Sequence, residues 1–217
     1  MTKVGFPGAS IGIFDVIFVY ILNLFLVSTL GDTGLTTYIV CMDALIIASI
    51  IDVGVSETLT STVPIYYAKH DYVNLNHLIK NSLIITVGFA IIFTGFIWIW
   101  PEGFLALYNF NEIDIADFVI NALRLYSLFF LTSLIPSLLI FYYEAIERYA
   151  FSTFISVLYT LVMPLVSIFV LYNLIGSNGI WIGFTVGDIL ILIIIYISVK
   201  LIQKRKKNGA LAVMNTI

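Results

Sequence analysis

From Tyr149 to Gly187 the chain contains no Asp, Glu, Lys or Arg. Wound as one α-helix at ~1.5 Å per residue, that stretch would be roughly 58 Å long, about twice the ~30 Å hydrocarbon core of a bilayer. It therefore has to cross twice, and the turn-forming cluster Gly176-Ser177-Asn178-Gly179 marks the reversal. The rest of the 217 residues agrees, with a hydrophobic share of 61%, a charged share of 11% and a mean hydropathy of +1.08. No soluble domain hides that much apolar surface, so the chain reads as an integral membrane protein. The net charge of -3 says little about partners, and no tract resembles a nucleic-acid-binding surface. The single cysteine, Cys41, excludes an internal disulfide and a thiolate metal site. Lys3 precedes a long apolar stretch without a small-residue cleavage signature, which reads as a retained first membrane helix and not a removed signal peptide.

A membrane-spanning helix needs ~20 mostly apolar residues. Segments at about 11–30, 37–67, 78–100, 115–143, 151–174 and 179–202 qualify, between a short N-terminus (1–10) and a basic tail (203–217). The expected fold is therefore an all-α integral membrane bundle of six transmembrane helices. The second span is longer than a bilayer is thick, and Gly54 and Pro64 offer places for a bend or close packing. Pro101 closes the third span, where Trp98 and Trp100 fit an interfacial aromatic anchor. Residues 102–117 hold Glu102, Glu112, Asp114 and Asp117 among Phe104, Leu105, Leu107, Tyr108 and Phe110, which predicts a short interfacial helix and an acidic loop. Pro136 and Pro164 lie inside the fourth and fifth spans.

Every Lys and Arg except Arg124 falls at Lys3, at Lys69 and Lys80, at Arg148, or at Lys200, Lys204, Arg205, Lys206 and Lys207. Six alternating passes put all of these on one side, which the positive-inside rule makes cytoplasmic. Both termini are then expected in the cytoplasm of a bacterial-type plasma membrane.

An ionisable group costs several kcal/mol in lipid, so acids kept there face a bundle interior or a wet cavity. Asp15, Asp43, Asp52, Glu57 and Asp188 are such acids, with Arg124 as the one base in the spans. Asp52 and Glu57 are five residues apart, about 140° on a straight helix, which predicts that only one lines a central pathway; Asp52 is preferred and Glu57 reads as a carboxyl bonded to Ser56, Thr58 or a neighbouring helix. Asp15 is about a turn from the cytoplasmic end. Asp188 has no adjacent escape to water and needs a proton or a partner. By depth, Asp43 and Arg124 match as a structural ion pair. His70 and His77 flank the second connection in a basic setting and read as solvated. No HExxH, GxSxG or glycine-rich phosphate loop occurs, so no catalytic residue and no metal site are assigned, and an enzyme is not expected.

Gly31 to Tyr38, Gly54-Val55-Ser56-Glu57-Thr58 and the exit Val63-Pro64-Ile65-Tyr66-Tyr67-Ala68-Lys69-His70-Asp71 carry a resemblance. With Ala122 to Ser127, Tyr142 to Arg148 and Gly176 to Trp181, the pattern resembles the multidrug and toxic compound extrusion (MATE) transporters. Their twelve helices form two six-helix lobes around a cavity, and this chain resembles one lobe, more the C-terminal one. The resemblance implies an organic cation as substrate, no cofactor beyond Na⁺ or H⁺ as coupling ion, and a second six-helix lobe from the same chain type or another. Asp52 and Asp15 are the acids to test for coupling, with Glu57 and Asp188 as further candidates for the ion or substrate pathway. A lipid-linked saccharide flippase lobe and a non-transporting scaffold or remnant are the alternatives.

Overall fold

The computed structural model describes residues 2–108 and 113–214 and is helical in all its regular elements. Helix α1 (Thr2–Ala68) holds two passes, because Gly31 breaks it with φ 63° and ψ −150°. That backbone region is open essentially to glycine alone. The reversal is visible in the packing: Phe18 meets Phe184 edge-on and Tyr38 stacks on it, at 5.9 and 6.4 Å between ring centroids. A continuous helix would hold those two rings about 30 Å apart. Helices α2 (Tyr72–Ile99) and α3 (Pro101–Leu105) follow, then α4 (Ile113–Ser127), α5 (Phe129–Thr132) and α6 (Leu134–Ala145) as one interrupted span. Next come α7 (Tyr149–Val157), a π-helical turn (Leu158–Val162), α8 (Met163–Ile175) and α9 (Ser177–Met214).

Among the described residues five helices are long and apolar enough to cross a membrane, and the first, Gly12–Ala68, contains both limbs of α1. The bundle thus makes six passes. Outward-facing Val16, Tyr20, Ile92, Leu174 and Ile193 supply the apolar surface that lipid requires. Phe110 and Glu112 of the expected acidic loop, and the side chains of Lys3 and of Lys204 to Lys207, lie outside the described residues. His77 sits within α2, not in a connection, because that helix begins at Tyr72.

The reversals at the two ends of the bundle use different chemistry. At one end Gly31 and Gly176 (φ 67°, ψ −145°) turn the chain, and three residues later Gly34 and Gly179 leave room for the preceding helix. At the other end both turns are Schellman caps. Asp71 N–H donates to Tyr66 O and His70 N–H to Tyr67 O; Arg148 N–H donates to Tyr143 O and Glu147 N–H to Glu144 O. His70 (φ 56°) and Glu147 (φ 61°) take the left-handed position there without being glycine.

Two prolines explain the interrupted spans. Pro136 cannot donate to Thr132 O, and the helix loses its regularity just upstream, at Leu128 and Ser133. At the Leu128 irregularity Leu131 N–H donates to Leu128 O; the Ser127 carbonyl accepts from Thr94 Oγ1 of α2 at 3.1 Å, and Trp98 Nε1 donates to Ser127 Oγ at 3.1 Å. Pro164 cannot donate to Thr160 O, and the helix widens before it: Met163 N–H reaches back to Leu158 O. By contrast α1 passes through Gly54 and Pro64 with helical backbone angles, and a Cβ at Gly54 would meet nothing within 4 Å. The close packing expected at Gly54 is therefore not there.

The apolar interior is divided by depth. A large cluster around Trp181, Phe184, Tyr126 and Leu26 fills the glycine-turn half. Two smaller clusters, around Leu59, Val63 and Leu138 and around Ile140, Ile155 and Ile191, fill the other half. Asp52, Thr132, Ser133, Ser137, Tyr159 and Asp188 lie between them, at the level of the helix irregularities.

Candidate functional site

Asp52, on the second limb of α1, is half-buried and accepts from Ser137 Oγ of α6 at 2.9 Å. Its other oxygen is enclosed and has no hydrogen-bond partner. On one side it lines a cavity of about 210 Å³ with Ser49, Phe129, Ser133 and Tyr159. On the other it lines an open groove of about 590 Å³ with Ser56, Glu57, Thr60, Ser61 and Ser137. Asp52 and Glu57 therefore share one groove, against the expectation from the helical wheel. Residues 52, 53, 56, 57, 60 and 61 form one continuous face about 180° wide, walled opposite by Ser137 and Phe141 alone. A groove so broad has both acids on its edges.

Asp15 lines a third cavity, of about 130 Å³, with Tyr38, Tyr126, Tyr159, Thr160 and Phe184. Asp188 is fully buried on α9 and accepts from Thr132 Oγ1 at 3.0 Å, while its second oxygen is unpaired. Tyr159 ties these acids together. It lines both the Asp52 and the Asp15 cavities, shares the first with Ser133, and lies within electrostatic reach of Asp188, Asp52 and Asp15. It belongs to the π-helical turn, a feature frequent at functional sites. Sequence reading missed Tyr159 and the hydroxyls of Thr132, Ser133 and Ser137; their one signal is proximity to Pro164 and Pro136.

The Asp43–Arg124 pair is not formed. Asp43 accepts from Tyr108 Oη at 2.5 Å, and Arg124 Nε is buried without a hydrogen-bond partner. Equal depth did not bring the two onto facing sides of their helices. His70 is exposed, with Nδ1 3.2 Å from Tyr72 Oη. Outside the spans, Asp71 caps α2: its carboxylate accepts from Asn74 Nδ2 and N–H at 2.6 and 3.1 Å, and these bonds hold its pKa below the usual carboxylate range. Among the described residues no group of three His, Cys, Asp or Glu side chains could hold a metal ion. An alkali cation or a proton at Asp52 would instead meet one carboxylate and neighbouring hydroxyls.

These features define a multi-pass helical membrane protein with two carboxylates, Asp52 and Glu57, on one open groove and a third, Asp188, buried beside Thr132. The family model described as MatE matches residues 10–172, and the chain belongs to that family. Its fold is similar to a solved MATE in complex with MaL6 (TM-score 0.83, 18% identity), covering 95% of this chain and 47% of that one. It is likewise similar to an outward-facing multidrug resistance MATE family transporter of the MOP superfamily (TM-score 0.82, 20% identity, 95% and 46% covered). A third likeness is to a MOP superfamily transporter from Pyrococcus furiosus, described as having a binding pocket of reverse polarity (TM-score 0.80, 21% identity, 88% and 43% covered). The chain spans about half the length of these structures, consistent with a single lobe. No curated protein sequence matches it.

Proposed function

We propose that the chain is one lobe of a secondary active transporter that exports organic cations in exchange for Na⁺ or H⁺. A second six-helix lobe, from a copy of this chain or a separate chain, would close the groove from the opposite side. The observation that carries the reading is Asp52. It lines both the smaller cavity and the open groove, with one oxygen held by Ser137 and the other unpaired. Binding a cation or a proton there changes the charge of the junction, and a ligand shifts a conformational equilibrium by its differential affinity for the two states. Organic cations suit a groove edged by Asp52 and Glu57 with no Lys or Arg in its lining. That lining weighs against the anionic headgroup of a lipid-linked saccharide. The turns holding Lys69 and Arg148 are assigned to the cytoplasmic side, and the activity needs no bond-making chemistry.

Asp52→Asn and Asp15→Asn, each in a transport-competent assembly in proteoliposomes, should abolish the dependence of export on an imposed Na⁺ or H⁺ gradient. Unchanged export and unchanged ion dependence in both variants would reject the assignment.

A further inference from the structure

One face of α2 carries Val73, Asn76, His77, Lys80, Ile84 and Ile91, all exposed and all within about 100° of the helix circumference. Trp98 stands on the same face, its ring exposed while its N–H is held by Ser127. The rise from Lys80 to Trp98 is about 27 Å at ~1.5 Å per residue, close to the ~30 Å of a hydrocarbon core. With the indole at one membrane interface, Lys80 therefore stands at the other. His77 and Asn76 lie about 4.5 and 6 Å farther out, within a headgroup layer ~5–8 Å deep.

This end of the face is basic, and its polar groups are uncommitted. Helix α2 contains no Asp or Glu. The acid just before it, Asp71, lies on the opposite side of the helix from Lys80, and its carboxylate is taken by Asn74. Lys69, in the turn before α2, has Asp71 as a neighbouring charge. Lys80 and His77 make no hydrogen bond or ion pair among the described residues. A topology anchor needs only a base in the connecting turn, whereas Lys80 is about two turns inside the helix, on the side that Ile84 and Ile91 turn to lipid. Residues three apart on a helix have Cβ atoms ~5–6 Å apart, so the Lys80 ammonium and the His77 ring N–H converge on one phosphate, with the Asn76 amide as a third donor. Toward mid-membrane, a Cβ at Gly88 would meet nothing within 4 Å, which leaves a notch between Ile84 and Ile92 for an acyl chain. We propose that this face of α2 binds one anionic phospholipid, with its phosphate held by Lys80 and His77 and a chain lying along Ile84 and Gly88. One ammonium matches one net negative charge, and a zwitterionic headgroup brings a cation of its own to compete for the phosphate. None of the residues lining the Asp52–Glu57 groove belongs to α2, so the lipid site is independent of the proposed transport function.

The test is native mass spectrometry of the full chain released from detergent micelles, titrated with phosphatidylglycerol or with phosphatidylethanolamine of the same acyl chains. Phosphatidylglycerol should add first as a single adduct, about fivefold tighter than phosphatidylethanolamine. Lys80→Gln should weaken the phosphatidylglycerol adduct about tenfold and remove the preference, and Lys80→Arg should keep both. His77→Phe retains a ring without the donor and should weaken the adduct about fivefold. Lys69→Gln removes the same charge from the adjoining turn and should leave the adduct unchanged. Equal affinity for the two lipids overturns the proposal, as does an equal loss from Lys69→Gln and Lys80→Gln, which would mean diffuse surface charge. Glycerol phosphate binding as tightly as the lipid would also overturn it, since the anion alone would then be the ligand.

Discussion

Gly54 and Gly179 both lie in helices of the bundle, but alanine should act on them with opposite sign. At Gly54 a Cβ meets nothing within 4 Å. Alanine there costs no contact and recovers the helix propensity that glycine forfeits, about 0.5–1 kcal/mol. At Gly179 the same Cβ would lie 2.2 Å from Leu171 O, 2.3 Å from Leu171 C and 2.7 Å from Tyr172 N. All three are backbone atoms, so no side chain can turn aside. The two helices must separate around the Gly176 reversal, an overpacking cost of about 1–3 kcal/mol. The variants should therefore differ by roughly 1.5–4 kcal/mol, read as unfolding free energy of the isolated chain in bicelles. Equal stabilities, or a Gly54→Ala variant the less stable of the two, would refute the packing at this turn. Transport of the assembled protein adds a second reading. Gly54 is exposed beside the groove, so a second lobe seated there would make Gly54→Ala a stable lobe with impaired export.

Glu147 holds a left-handed backbone on an exposed turn, a conformation costing a non-glycine residue about 1–2 kcal/mol. Glu147→Gly should raise stability by about 1 kcal/mol, and a lower melting temperature would argue that the carboxylate has a role the cap geometry does not reveal. Asp71 titrates below the ordinary carboxylate range when folded, because it accepts two bonds from Asn74. Its capping contribution is fully present above that ordinary range and is lost as pH falls through the depressed folded value. Asp71→Asn should therefore flatten the acid limb of a stability–pH curve; an unchanged acid limb would show that the cap is not coupled to the fold.

Hydropathy was enough to give an all-helical, multi-pass bundle, because lipid penalises every misplaced charge and every unpaired backbone group. It could not place side chains around each helix. Asp43 and Arg124 matched in depth, yet depth carries no information about azimuth, and Tyr108 from the connection after α2 took the Asp43 carboxylate. The wheel separated Asp52 from Glu57 correctly by angle but assumed a narrow cavity, whereas the groove covers half the helix circumference. Tyr159 was illegible for a different reason. In an apolar run a tyrosine reads as packing, and the π-helical turn at Leu158–Val162 shifts the helical phase by about one residue, or ~100°. Any wheel drawn straight through that span misplaces one side of it.

The same irregularities bear on how such a bundle can move. Pro136 and Pro164 each delete a backbone hydrogen bond, and the affected carbonyls belong to Thr132 and Thr160, beside Asp188 and Tyr159. Helices bend at least cost where the ladder is already broken, and here the breaks coincide in depth across two spans. Above and below that level the apolar clusters are continuous and resist deformation. Asp52 and Asp188 are thus bonded to the interrupted span itself, where a change in charge and a change in helix angle draw on the same hydrogen bonds. Thr132 illustrates the coupling: its hydroxyl is bonded to Asp188 while its carbonyl is the one freed by Pro136. Protonating or neutralising Asp188 weakens the first of these interactions and so releases the segment that the second leaves unsupported.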